Sequence, residues 1–155
     1  MFGRETGAVL FYEDRYYMFS NFSSFEVFYG LDIWKTAEHA YQAAKFTDKD
    51  ILTKIRHAHS AHDAKKIARA NQEHYRPDWN GEEKLRVMEE IVSAKLSQHD
   101  FVRERLLETG SRLIVENSHK DSFWGWGRDM KGANHLGKIW MKLREEERKK
   151  EQQRA

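Results

Sequence analysis

The sequence comprises 155 residues, enough to bury the core of a single domain, and its 39% hydrophobic and 34% charged content belongs to a globular rather than a disordered chain. No apolar run approaches the ~18 residues needed to span a bilayer, so no membrane partner is expected, and the lack of a basic-then-apolar leader pattern sets a cytoplasmic expectation. The absence of cysteine excludes disulfides, thiolate nucleophiles and thiolate metal sites, while a net charge of +2 permits anionic substrates without announcing a nucleic-acid binder.

Taken in chain order, the first part reads as β. The segments AVLFY (8–12), FEVFYG (25–30) and LDIW (31–34) are aromatic and β-branched, with Gly30 as a turn signal between the last two and a polar-aromatic loop, FSNFSSF (19–25), before them. Beyond residue 36 the pattern turns helical. Thr36 is an expected N-cap for the alanine-rich stretch AEHAYQAAKF (37–46), and an Asp and a Ser open the next two helical segments, near residues 48 and 60. The segment 82–98 places Leu85, Met88, Val92 and Leu96 at three- and four-residue spacing, the clearest amphipathic helix in the chain. FVRERLLETG (101–110) ends in Gly110, a C-cap signal, and RLIVEN (112–117) reads as a lone short strand. The final stretch from Leu136 starts amphipathic and becomes wholly polar after Leu143, so its last turns are expected to fray. The predicted fold class is mainly α within α+β: one helix-dominated domain over residues 1–146 with a small N-terminal β element, followed by a polar tail, 147–155.

Two constellations stand out. On a helix, Glu38, Gln42 and Lys45 fall within an arc of about 60°, because each residue advances ~100°. This places a polar line between core and solvent, where a pocket wall would run. Glu38 also lies in the first turn, where exposed amides and the helix dipole favour an ionised carboxylate at shallow burial. An ordinary solvated helix edge would carry the same pattern. The second constellation is residues 116–137, ENSHKDSFWGWGRDMKGANHLG, a long non-periodic stretch with four glycines and two tryptophans. Glycine lets backbone approach a ligand and indole stacks on planar rings, so a loop of this length points to function. It matches neither the dinucleotide fingerprint nor the P-loop spacing. His57, His59 and His62 lack a completing acid and read as a solvated helix junction rather than a metal site.

These segments together resemble the NADAR family, also called the YbiA-like N-glycosidases, from about residue 11 to 144. The resemblance rests on FSNF (19–22), W-x-T-x-EHAYQAAKF (34–46), Trp79 within DW, Met88, Ala94–Lys95, and the ordered ending LIVENSHKDSFWGWG…KGANHLGKIWMKLR. Leu96 departs from a common Phe, and Trp126 stands where small or polar residues are also common. The resemblance implies a mostly helical orthogonal bundle with a short β portion. It further implies hydrolysis of an N-glycosidic bond between a ribose carbon and a base, with no cofactor and no metal. Implied substrates are phosphoribosylamino-pyrimidines of riboflavin synthesis, or ADP-ribose carried on guanine in DNA.

Cleaving such a bond builds positive charge on the sugar and negative charge on the departing base. Glu38 is the expected carboxylate on the sugar side, and Asp121 the second carboxylate, positioning water or ribose hydroxyls. Lys45 is expected to bind phosphate, donate to the base, or attack the anomeric carbon. Trp79 and Trp124 are expected to stack on the base, with Ser20, Asn21, Phe22, Gln42, Gly125 and Asn134 completing the substrate contacts. The expected partner is a small ribosyl or ADP-ribosyl molecule. ADP-ribosylated DNA is a second candidate, which Arg128, Lys131, His135 and Lys138 would favour and Glu116 and Asp129 would oppose. The alternatives are a non-catalytic ADP-ribose or nucleotide-binding module and, last, a helical interaction protein. The sequence is silent on oligomeric state.

Overall fold

A computed structural model describes residues 7–12 and 16–154. Among these residues the class is α+β, with six α-helices and two two-stranded sheets. The chain divides into two compact units, one of residues 21–99 and the other of the flanking segments up to Ser20 and from Asp100 onward. No helix among the described residues is long and apolar enough to cross a membrane.

In the central unit, β2 (Val27–Tyr29) and β3 (Asp32–Trp34) form an antiparallel hairpin about the turn that Gly30 signalled. Gly30 and Leu31, at φ +61° and +71°, both take left-handed backbone in the turn, the geometry that matches the twist of a tight hairpin. The outer edge of β2 is closed by a side chain: the Gln98 amide accepts from Phe28 N and donates to Phe28 O, both at 2.9 Å. Four helices follow, α1 (Ala37–Ala43), α2 (Lys49–His57), α3 (Ala61–Ala70) and α4 (Gly81–Gln98). Each opens on a side-chain cap, namely Thr36, Asp48, Ser60 and Asn80, because these short polar groups satisfy amide donors that no preceding turn can reach. Helix α1 packs against α2, α3 and α4. The buried face of α4 is Val87, Met88, Ile91, Val92, Lys95 and Leu96. Leu85, expected on that face, is only half-buried, and a lysine takes an interior place instead.

In the flanking unit, β1 (Val9–Phe11) pairs in parallel with β4 (Ile114–Glu116), Val9 opposite Ile114. The strand read as solitary therefore has a partner more than a hundred residues away in sequence, a pairing that no local pattern can announce. Helix α6 (His135–Arg154) packs on β4 and on α5 (Asp100–Glu108). Trp140, Phe19 and Phe11 form the aromatic centre of this unit, with ring centroids 5.0 Å apart for the first pair and 6.0 Å for the second. The Trp140 indole N–H donates to Phe19 O at 3.0 Å, so its one polar atom is satisfied in the interior.

The expected fraying of the polar end of α6 is not observed, since the helix runs unbroken to Arg154. Arg103 of α5 donates to Glu147 at 3.0 Å and to Glu151 at 3.2 Å, and Glu147 is buried. A charged clip from another helix thus takes the place of the apolar stripe that ends at Leu143.

Candidate active site

The first constellation lies deeper than its pattern suggested. All seven residues of α1 are buried, with Glu38 6% exposed and Gln42 4% exposed, so the first two members of the polar line are interior and Lys45 is half-buried. Asn21 O accepts the Glu38 N–H at 3.0 Å, and Thr36 Oγ1 accepts the His39 N–H at 3.1 Å. His39 Nε2 faces Ala58 O at 3.0 Å and Nδ1 faces Thr36 Oγ1 at 2.7 Å. A carbonyl only accepts, so this network assigns the proton to Nε2, and the Thr36 hydroxyl donates to Nδ1. Burial holds the His39 pKa below its usual value. His39 is a neutral pin that fixes the start of α1, which leaves Glu38 rigidly presented with Gln42 Nε2 donating to its Oε1 at 2.7 Å.

Lys45 follows the helix rather than lying on it. The α-helix closes at Ala43 with Ala44 as its cap, and the Lys45 N–H turns back to Gln42 O at 3.3 Å. Its ammonium sits over three rings: Tyr41 at 5.0 Å, Tyr75 at 5.1 Å and Trp79 at 6.0 Å. Burial lowers its pKa from 10.5 to about 8, against the Glu38 charge, which raises it, while Lys65, Lys84 and Arg69 add to the lowering. Near neutral pH a usable fraction of this amine is unprotonated.

The aromatic enclosure is built by the turn YRPDW (75–79), which carries the chain's only proline. Arg76 clamps that turn to the end of α1: its N–H donates to Lys45 O and its Nε to Ala44 O, both at 2.8 Å. The same guanidinium pairs with Glu83 at 3.0 Å and lies 5.3 Å from the Trp79 ring centre. Tyr75 and Arg76 were not singled out by the sequence; their sole signal was their closeness along the chain to Trp79. Asn21 is buried and Phe22 exposed. Phe22 borders a cleft of about 340 Å³ with Lys35, Thr36, His39 and His59 among its walls.

Within the flanking unit, the loop 116–134 is tied together by its own backbone. Asp121 Oδ1 accepts from Phe123 N at 2.9 Å and Trp124 N at 2.8 Å, shaping the turn that carries the indole. Trp124 is half-buried, edge-on to Phe123 at 4.7 Å. The first amides of α6, His135 and Leu136, donate to the carbonyls of Phe123 and Trp124. At Gly125 a Cβ would lie 2.6 Å from Glu116 O, so the backbone there packs closely against the chain itself. Asn134 donates from Nδ2 to Ile114 O at 2.9 Å and accepts at Oδ1 from Glu116 N at 3.0 Å. Its amide clasps the loop to β4. Ser20 closes a 3-10 turn, its N–H bonding Tyr17 O at 2.9 Å.

The structure therefore gathers Asn21, Glu38, Gln42, Lys45 and Trp79 in the central unit, while Ser20, Asp121, Trp124, Gly125 and Asn134 belong to the flanking one. A buried carboxylate and a desolvated amine walled by aromatic rings are thus brought together. The chain belongs to the NADAR domain family, whose sequence model matches residues 10–148. It is 42% identical over 134 residues to the N-glycosidase Npun_R5314 of Nostoc punctiforme, covering 84% of this chain and 85% of that protein. To the N-glycosidase YbiA of Escherichia coli K12 it is 36% identical over 133 residues, 86% of this chain and 82% of that one. It also matches the riboflavin biosynthesis protein VVA0006 of Vibrio vulnificus at 37% over 140 residues, which is 89% of this chain but 38% of that longer protein. The solved structure of E. coli YbiA superposes with a TM-score of 0.84 at 33% identity, over 96% of this chain and 89% of that one. The activity class that these relatives support is that of an N-glycosidase.

Proposed function

We propose that this chain hydrolyses the bond joining a ribosyl anomeric carbon to a nitrogenous base, in a phosphoribosylamino-pyrimidine or in ADP-ribosylated guanine of DNA. The observation that carries the reading is Lys45, a partly neutral amine enclosed by Tyr41, Tyr75 and Trp79 in the same cluster as the buried Glu38. The name of the Vibrio protein supports the riboflavin-pathway substrate as one arm of the proposal.

In this mechanism the unprotonated Nζ of Lys45 attacks the anomeric carbon. A bond forms from nitrogen to carbon as the bond to the base breaks; the base leaves with the electron pair and takes up a proton. The carboxylate of Glu38 stabilises positive charge developing on the sugar. The attacking amine gives up the proton that the base gains, the ring C–O bond of the glycosyl-lysine opens to an imine, and water hydrolyses that imine, returning a free amine and a free sugar. Trp79 supplies a face for the base, and Asp121 and Trp124 enter the proposal through the family resemblance.

Product analysis by mass spectrometry on both substrate types is the direct test. Wild-type protein should release free base from at least one, and Glu38→Gln should lower turnover by about 100-fold or more while ligand binding stays measurable. Turnover within a few-fold of wild type would remove Glu38 from the mechanism. Borohydride added during turnover should reduce the open-chain imine and leave a sugar-derived mass on Lys45. Steep salt dependence with modified DNA, and none with the pyrimidine riboside, would select the polynucleotide as substrate.

A further inference from the structure

Beside Glu38, two deeply buried acceptors have no hydrogen-bond partner among the described residues: Asn21 Oδ1 and Gln42 Oε1. Asn21 is 5% exposed and Gln42 4% exposed. Buried polar atoms in folded proteins are nearly always bonded, so two orphans in one neighbourhood require an explanation. Their positions are tied to the same carboxylate. Asn21 lends its backbone carbonyl to the Glu38 N–H, and Gln42 stands one helical turn beyond Glu38. The nitrogen end of each amide is already directed elsewhere, Asn21 Nδ2 to Met88 Sδ at 3.2 Å and Gln42 Nε2 to Glu38 Oε1 at 2.7 Å. Reversing Gln42 would set its oxygen against the carboxylate oxygen, so the nitrogen and not Oε1 is held on Glu38.

A pair of fixed acceptors calls for a ligand that brings donors. Resting on the reading that Glu38 works at the anomeric carbon, we propose that Asn21 Oδ1 and Gln42 Oε1 receive hydroxyl hydrogens of the ribosyl ring. The 2′-hydroxyl, on the carbon next to the anomeric one, is the donor closest to Glu38's task. The pair thereby selects ribosyl over 2′-deoxyribosyl substrates. Discrimination of this kind is strong because the analogue lacking the hydroxyl leaves the buried acceptors unbonded in the complex.

The experiment compares N-glycosides that differ only at the 2′-position, as a ratio of kcat/KM, in wild type and in Asn21→Leu and Gln42→Met. Wild type should favour the riboside by about 100-fold or more, and each variant should bring the ratio down at least tenfold. A ratio is insensitive to the fraction of active protein, so a variant that folds poorly but keeps the wild-type ratio overturns the proposal. A calorimetric titration with ribose 5-phosphate and 2-deoxyribose 5-phosphate reads the same preference without catalysis. Equal response to the two sugars, including no response to either, likewise overturns it and leaves the orphan oxygens to internal water. Failure of the hydrolytic reading has a separate signature: no base is released from either glycoside, yet the sugar phosphates still bind differently.

Discussion

Lys45 shows how burial alone converts a commonplace residue into a reagent. An exposed lysine is almost wholly protonated at pH 7, whereas desolvation here brings the pKa to about 8. The proposed attack needs the neutral form, which grows as pH rises. We therefore expect kcat/KM to fall about tenfold per unit as pH drops below about 8, and to level off above it. Lys45→Arg preserves the positive charge but cannot deprotonate, so it should abolish turnover. Activity that survives in Lys45→Arg, together with a wild-type rate that declines above pH 8, would show that the cation, not the free amine, is the working form. The sequence nominated Glu38 and Lys45 from their types and spacing. Their environment came from residues brought in by folding: Tyr75 and Trp79 are held there by the Arg76 clamp on Ala44 and Lys45 carbonyls.

At the scale of elements, start signals were local and therefore readable. Thr36 and Ser60 cap the helices that their residue type foretold, because a side-chain oxygen needs only the amides two or three residues ahead. The loop 116–134 was legible as irregular, but the use of its glycines was not. Gly125 faces Glu116 O, Asp121 O and Ser118 Cβ, two of them backbone atoms that cannot swing aside. Gly125→Ala should thus destabilise the protein by about 1–3 kcal/mol through overpacking, read as a lower chemical-denaturation midpoint with an unchanged slope. An alanine tolerated at wild-type stability would mean that the loop can retreat from β4. The same reasoning applies to α6, whose polar end is ordered by Arg103 from another helix, a contact outside the reach of hydrophobic periodicity.

Lys95 connects one side chain to the stability of the whole molecule. It is fully buried on α4, its Nζ donates to Ser23 Oγ at 2.9 Å, and burial lowers its pKa from 10.5 to about 7. Between pH 7 and about 10.5 the unfolded chain holds a proton that the native protein has released, so stability must rise with pH across that window. Below pH 7 the native state is protonated as well, so the destabilisation from burying the ammonium stops changing with pH. Lys95→Met removes this dependence. Its stability relative to wild type should be greatest near pH 6 and diminish steadily towards pH 10, in denaturant titrations at matched ionic strength. A difference that does not vary with pH would show that burial leaves the Lys95 ammonium as easily protonated as in the unfolded chain.

What this sequence determined unaided was its helices, the turn at Gly30 and its family, the last through ordered motifs spread over most of the chain. Helical periodicity, capping and tight-turn chemistry act over a few residues, so neighbours suffice to encode them. Tertiary structure alone decided the parallel pairing of β1 with β4, the desolvation of Lys45 and Lys95, the self-packing of Gly125, and the two unbonded acceptors beside Glu38. Each of these depends on which distant segment displaces water from a given atom, and no local window of sequence contains that segment.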